Sequence, residues 1–155
     1  MRLFFLFLSI FITSLLGEEL KVTANSFEAD EKRGISIFSG DVTITKGTDV
    51  MRASQVTIHI DENRHPITYI ADGNVSFFIT TEDNSSYEGK AHNAIFSPDK
   101  QEYKFSGDVE LNQLNEKKKI VGNEVIVNML KGTAVAQGMK NRPVIMIFEL
   151  EDKND

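Results

Sequence analysis

One motif recurs along this chain and limits what it can fold into. Phe38-Ser39-Gly40-Asp41-Val42-Thr43-Ile44 returns as Ala71-Asp72-Gly73-Asn74-Val75-Ser76-Phe77, and again as Phe105-Ser106-Gly107-Asp108-Val109-Glu110-Leu111. A weaker fourth copy, Ala134-Val135-Ala136-Gln137-Gly138, follows at a similar interval. A near-constant period of just over thirty residues is the mark of a repeat architecture, in which neighbouring units share one core.

Side chains alternate between the two faces of an extended chain. Phe38, Gly40, Val42 and Ile44 therefore share a face, as do Gly73, Val75 and Phe77, and Phe105, Gly107, Val109 and Leu111. Asp41, Asn74 and Asp108 fall on the opposite face. The apolar parity runs through the glycine, which favours a continuous strand over a hairpin turn at Gly-Asp. On this reading the glycine leaves room, or lets the strand bend, where a side chain would crowd the interior.

A second unit interleaves with the first: Ala24/Phe27/Ala29, Ala53/Val56/Ile58, Ala91/Ala94/Phe96 and Gly122/Val125/Val127. Parity shifts by one after each leading small residue. Such a slip turns side chains to the wrong face unless a strand carries an extra residue. The spacing thus predicts a β-bulge or corner at the same level in four strands. Aligned bends curve a sheet.

Many short strands separated by polar turns give an all-β fold. We expect an open β-jelly roll, a curved two-sheet β-sandwich built from repeated short antiparallel strands. One first strand spans Glu18 to Ala29, and the last runs from Val144 to Leu150. Lys117-Lys118-Lys119 falls in a solvated hairpin loop. The inward set comprises Leu20, Val22, Phe27, Phe38, Val42 and Ile44 from the first third of the chain. Val56, Ile58, Val75 and Phe77 continue it, followed by Phe96, Phe105, Val109 and Leu111, then Val125 and Val127. A packed core accounts for this set, and so does an apolar groove held open by small residues; periodicity does not separate them.

The start of the chain, Met1-Arg2 followed by an apolar run from Leu3 to Ile12, reads as a cleavable signal peptide over residues 1–17. Residues 18–150 then form the domain, and 151–155 a charged tail. Export would place the mature chain in the periplasm. A net charge of −6 argues against binding nucleic acid. No nucleotide loop, HExxH, GxSxG or cysteine ligand set occurs. His59, His65 and His92 stand singly. An enzyme is not expected, nor a metal or cofactor.

The repeated FSGDVTI and FSGDVEL, the hairpin VTITKGTDVMRASQVTIHI and the later IVGNEVIVNMLKGTAVAQG resemble the LptA/OstA family of periplasmic lipopolysaccharide-transport proteins. The likeness runs from about Glu19 to Leu150. It implies a jelly roll open at both ends that holds lipid A acyl chains inside. It also implies head-to-tail stacking into a bridge between the inner and outer membranes. The implied partners are lipopolysaccharide, an LptC-like periplasmic domain, the N-terminal domain of an LptD-like protein, and further copies of the chain. The family's lipid-facing positions match Leu20, Val22, Phe77 and Phe96. The partner edges would be Leu20, Lys21 and Val22 on the first strand and Val144, Ile145, Met146, Ile147 and Phe148 on the last. A non-enzymatic adaptor that docks by strand addition without carrying lipid is the alternative.

Overall fold

A computed structural model describes residues 19–150. The signal-peptide and charged-tail expectations lie outside these residues. Ten strands follow one another: β1 (Leu20–Thr23), β2 (Ser26–Asp30), β3 (Ile35–Lys46), β4 (Asp49–Ile60), β5 (Pro66–Thr80), β6 (Ser86–Ser97), β7 (Glu102–Gln113), β8 (Lys118–Asn128), β9 (Thr133–Gln137) and β10 (Ile145–Phe148). Hydrogen bonding is antiparallel and unbroken in the order β1-β3-β4-β5-β6-β7-β8-β10. The two expected sheets are thus halves of one sheet.

The halves are created by a bulge at one level. In β3, Gly40-Asp41 lies opposite the single residue Ser54; in β5, Gly73-Asn74 lies opposite His92; in β7, Gly107-Asp108 lies opposite Asn123. The extra residue is therefore carried by the odd-numbered strands, not by those with the small-residue signal. The parity shift in β4, β6 and β8 is the complement of those bulges. Both residues of each pair are left-handed, with φ of 82° and 46° at Gly40-Asp41, 84° and 48° at Gly73-Asn74, and 83° and 43° at Gly107-Asp108. Glycine enters that region freely, and Asp and Asn are the side chains that tolerate it best. The motif is Gly-Asp or Gly-Asn for that reason.

The glycines are not needed to spare the interior. A Cβ on Gly73 would strike Ser54 Oγ at 2.8 Å, and one on Gly107 would strike His92 Cβ at 2.8 Å. Both neighbours are exposed, so the crowding is on the outer face of the bend.

The first expected strand is split in the same way. β1 pairs with β3 on one side of its bulge and β2 on the other, with Ala24-Asn25 between them. At the far end β9 and β10 pair with β8 on either side of its bend. One half-sheet thus begins with β1 and ends with β10; the other begins with β2 and ends with β9. The last strand is shorter than expected, and Lys118 and Lys119 lie within β8, paired with Gln113 and Asn112. Only Lys117 of that cluster is in the turn.

Between the half-sheets sits the core. Phe105, Val109, Leu111, Val125 and Val127 are fully buried, and Val42, Val56, Val75, Ile79 and Tyr87 nearly so. The free margins of the halves meet at the β8 side, where Glu82 N–H donates to the Met129 carbonyl at 3.3 Å. The preceding loop is held by Asp83, which accepts from the Thr81 hydroxyl and from Ser85 N–H. These donors, the Thr81 hydroxyl above all, keep the Asp83 carboxyl below its ordinary range.

Candidate functional site: a cleft between the half-sheets

Near β1 the two margins do not close. A cavity of about 350 Å³ lies between them. One half-sheet lines it with Leu20, Ile44, Lys46, Asp49, Val50, Met51 and Ile79, and the other with Pro66, Tyr69, Phe96 and Tyr103. His65 and Pro98 complete the mouth from the adjoining loops.

Its floor is aromatic. Tyr69 lies 5.8 Å from Phe96, Phe96 4.6 Å from Tyr103, and Tyr103 5.7 Å from Phe105, ring centre to ring centre. Alternation puts these rings inward: Tyr103 precedes Phe105 by two residues, and Tyr69 precedes Ala71 by two. The row presents apolar surface with few polar atoms. Burial pushes the Tyr103 phenol far above its ordinary range, with the nearby Asp49 charge adding to the effect. Burial also raises Tyr69. Both phenols stay neutral across physiological pH.

Two charged side chains stand on the β3–β4 hairpin at the mouth. The Asp49 carboxylate accepts from Thr80 N–H at 2.9 Å, which fixes it to β5. Lys46 reaches across the gap, its Nζ 5.8 Å from the centre of the Phe96 ring. This cation–π contact spans the opening from one half-sheet to the other.

The expected interior residues divide into three groups. Leu20, Ile44 and Phe96 line the cleft. Val42, Val56, Ile58, Val75, Phe77, Phe105, Val109 and Leu111 are packed in the core, with Val22 and Phe38 half-buried against it. Phe27 differs from the expectation: it is 46% exposed, on a strand paired with β3 alone, its ring tilted 36° against that of Phe38 with centres 4.8 Å apart. The cleft also takes in Met51, of inward parity with Ala53, and recruits Lys46, Tyr69 and Tyr103, which the sequence did not single out. Inward parity was the signal for the two tyrosines.

Of the expected edge residues, Lys21 is exposed and Val22 half-buried. Ile145, Met146, Ile147 and Phe148 are 45–55% exposed, so β10 shows apolar side chains on both faces. β1 and β10 stand at the two ends of the sheet order. Among the described residues, no group of three or more His, Asp or Glu is placed to hold a metal ion. A wider depression at the β2–β3 turn is lined by charges of both signs, among them Glu31, Arg33, Asp61 and Arg64.

The family model described as "LptA/(LptD N-terminal domain) LPS transport protein" matches residues 21–133. The lipopolysaccharide export system protein LptH of Pseudomonas aeruginosa is 35% identical over 46 residues, 30% of this chain and 26% of that protein. The matched stretch spans about a quarter of that relative. The crystal structure of LptH, described as the LptA homologous periplasmic component of the lipopolysaccharide transport device of the same organism, aligns with a TM-score of 0.75. Identity there is 18%, over 86% of this chain and 96% of that one, and it carries the fold, a β-jelly roll.

Proposed function

Because the chain belongs to the LptA/LptD N-terminal-domain family of lipopolysaccharide-transport proteins, we propose that it is a periplasmic carrier that shields lipid A acyl chains between the two membranes. The observation that carries this reading is the cleft of about 350 Å³ between the half-sheets, walled by Ile44, Val50, Met51, Tyr69, Phe96 and Tyr103. Burying a methylene gains roughly 0.8 kcal/mol over water. A membrane shields the chain equally well, so such a carrier is a nearly flat path rather than a source of drive. The energy must come from a partner.

In this role the sheet ends are the docking edges. Strands that lack a neighbour template pairing with another chain. β1, with Leu20, Lys21 and Val22, and the segment Val144 to Phe148 would join the chain to an LptC-like domain, to the N-terminal domain of an LptD-like protein, or to its own copies. The apolar side chains on both faces of β10 support this assignment.

The test is photo-crosslinking in living cells from position 96, in the cleft wall. Phe77 is less suited, being 5% exposed and stacked on Phe105. An adduct carrying lipopolysaccharide is the expected result. An exported, folded protein that yields only protein adducts would favour the adaptor without lipid.

A further inference from the structure

We propose that Asn84, at the tip of the β5–β6 loop, is an acceptor for N-linked glycosylation in the periplasm. The inference rests on the periplasmic placement proposed above and is independent of what the cleft holds.

Two stretches match the acceptor pattern Asn-x-Ser/Thr: Asn74-Val75-Ser76 and Asn84-Ser85-Ser86. A carboxylate stands two residues before each asparagine, Asp72 and Glu82, which is the further mark of bacterial acceptor sites. By sequence the two are equivalent; in the fold they are not. A transferase must draw the asparagine and the hydroxyl residue after it into its own groove, so an acceptor belongs on a surface loop.

Asn74 ends the bulge of β5, a strand held between β4 and β6. Its side chain is exposed, but the next residue, Val75, is 1% exposed in the core. Ser76 is paired with Arg52 on one side and Lys90 on the other. Presenting Asn74 would unzip a central strand and uncover the core.

Asn84 is exposed in a turn closed by its own N–H, which donates to the Thr81 carbonyl at 3.0 Å. Its backbone is left-handed, with φ 65°, and no described residue bonds its side-chain amide. The loop is held instead by Asp83, which accepts from the Thr81 hydroxyl and from Ser85 N–H. Ser86 is the first residue of β6, so releasing it frays a strand end rather than the sheet. Residues 82–86 line no part of the cleft and belong to neither end strand of the sheet. A glycan on Asn84 is therefore compatible with both the ligand site and the docking edges.

The step joins the Asn84 side-chain nitrogen to the anomeric carbon of a sugar carried on a polyprenyl diphosphate. The bond from that carbon to the diphosphate oxygen breaks, and its electron pair leaves with the diphosphate. The proton lost by the nitrogen passes to a basic group of the oligosaccharyltransferase. An amide nitrogen shares its lone pair with the carbonyl, so it becomes a nucleophile only when turned out of the amide plane. A side chain free of hydrogen bonds offers the least resistance to that turn.

The test expresses the full chain, with an unstructured acceptor tag added after Asp155, in a Gram-negative host. The host carries a bacterial oligosaccharyltransferase and its polyprenyl-linked oligosaccharide. Intact mass and peptide fragmentation then count and place the additions. One oligosaccharide is expected on the tag and one on Asn84. Asn84→Gln and Ser86→Ala should each remove the second, Ser86→Thr should keep it, and Asn74→Gln should leave the added mass unchanged. A modified tag beside an unmodified Asn84, or equal occupancy of Asn74, overturns the assignment. An unmodified tag in cells whose other acceptors are modified overturns the periplasmic placement and this inference with it.

Discussion

The Phe77 ring lies 3.8 Å from the Phe105 ring, centre to centre and 13° from parallel. Phe77 belongs to the β5 segment beyond Gly73 and Phe105 to the β7 segment before Gly107, so the stack ties one half-sheet to the other. Gly89 on β6 lets the rings meet: a Cβ there would sit 2.9 Å from Phe77 Cζ. Phe105 is fully buried. Phe105→Ala should therefore cost about 3–5 kcal/mol, read as a lower urea midpoint with an unchanged slope.

At the bend, two adjacent residues should respond to very different degrees. Gly107→Ala forces a Cβ to φ +83° and against His92, and should cost about 1–3 kcal/mol. Asp108→Asn keeps the side chain that best suits φ 43°. It loses the pairings to His92 at 3.5 Å and Arg142 at 3.2 Å, but all three groups are exposed, so the change should stay within about 1 kcal/mol. Similar large losses from both variants would mean the ion pairs, not the left-handed backbone, hold the bend.

The strands and the level of the bend were legible in the sequence because alternation and the Gly-Asp spacing are properties of single segments. Which strand carries the extra residue was not. Parity shifts at Ala53 and Ala91 mark a mismatch between neighbours, and a mismatch belongs to the pair. The packed and open parts of the interior were equally hidden. Phe77 and Phe96 have the same inward parity, yet one is stacked in the core and the other walls the cleft. That difference arises where the margins close near Met129 and stay apart near Lys46, a matter of tertiary geometry. Phe27 showed the limit of parity: it predicts a face, not whether anything covers that face.

Three tyrosines predict how stability changes in alkali. Burial raises Tyr69, Tyr87 and Tyr103 above the ordinary value of 10.0. Their folded forms hold the proton more tightly than the unfolded chain. Their contribution is therefore full below about pH 10 and is lost as pH climbs above it, by at most about 1.4 kcal/mol per pH unit for each phenol. Tyr103→Phe should flatten the fall. Urea midpoints between pH 8 and 11 that drop equally for the native chain and the variant would remove Tyr103 from the account.

Removal of the chain after Gly138 tests the docking edge. β10 pairs only with β8, between Ile145–Phe148 and Val121–Lys118. Its side chains are half-exposed, while the core residues Val125 and Val127 remain covered by β9 and the opposite half-sheet. The shortened chain loses the Arg142 contact to Asp108 and the half-buried Val144, a modest cost on an exposed margin. It should stay folded by circular dichroism and sediment as a monomer, whereas the proposed head-to-tail role has the full chain form larger species at the same concentration. Ile147→Glu offers the same test by one charge: Ile147 is 52% exposed in the lone chain, so the variant should keep native stability and lose assembly, because an unpaired carboxylate is costly only once a second copy covers it. Assembly undiminished in both proteins would move the contact away from β10.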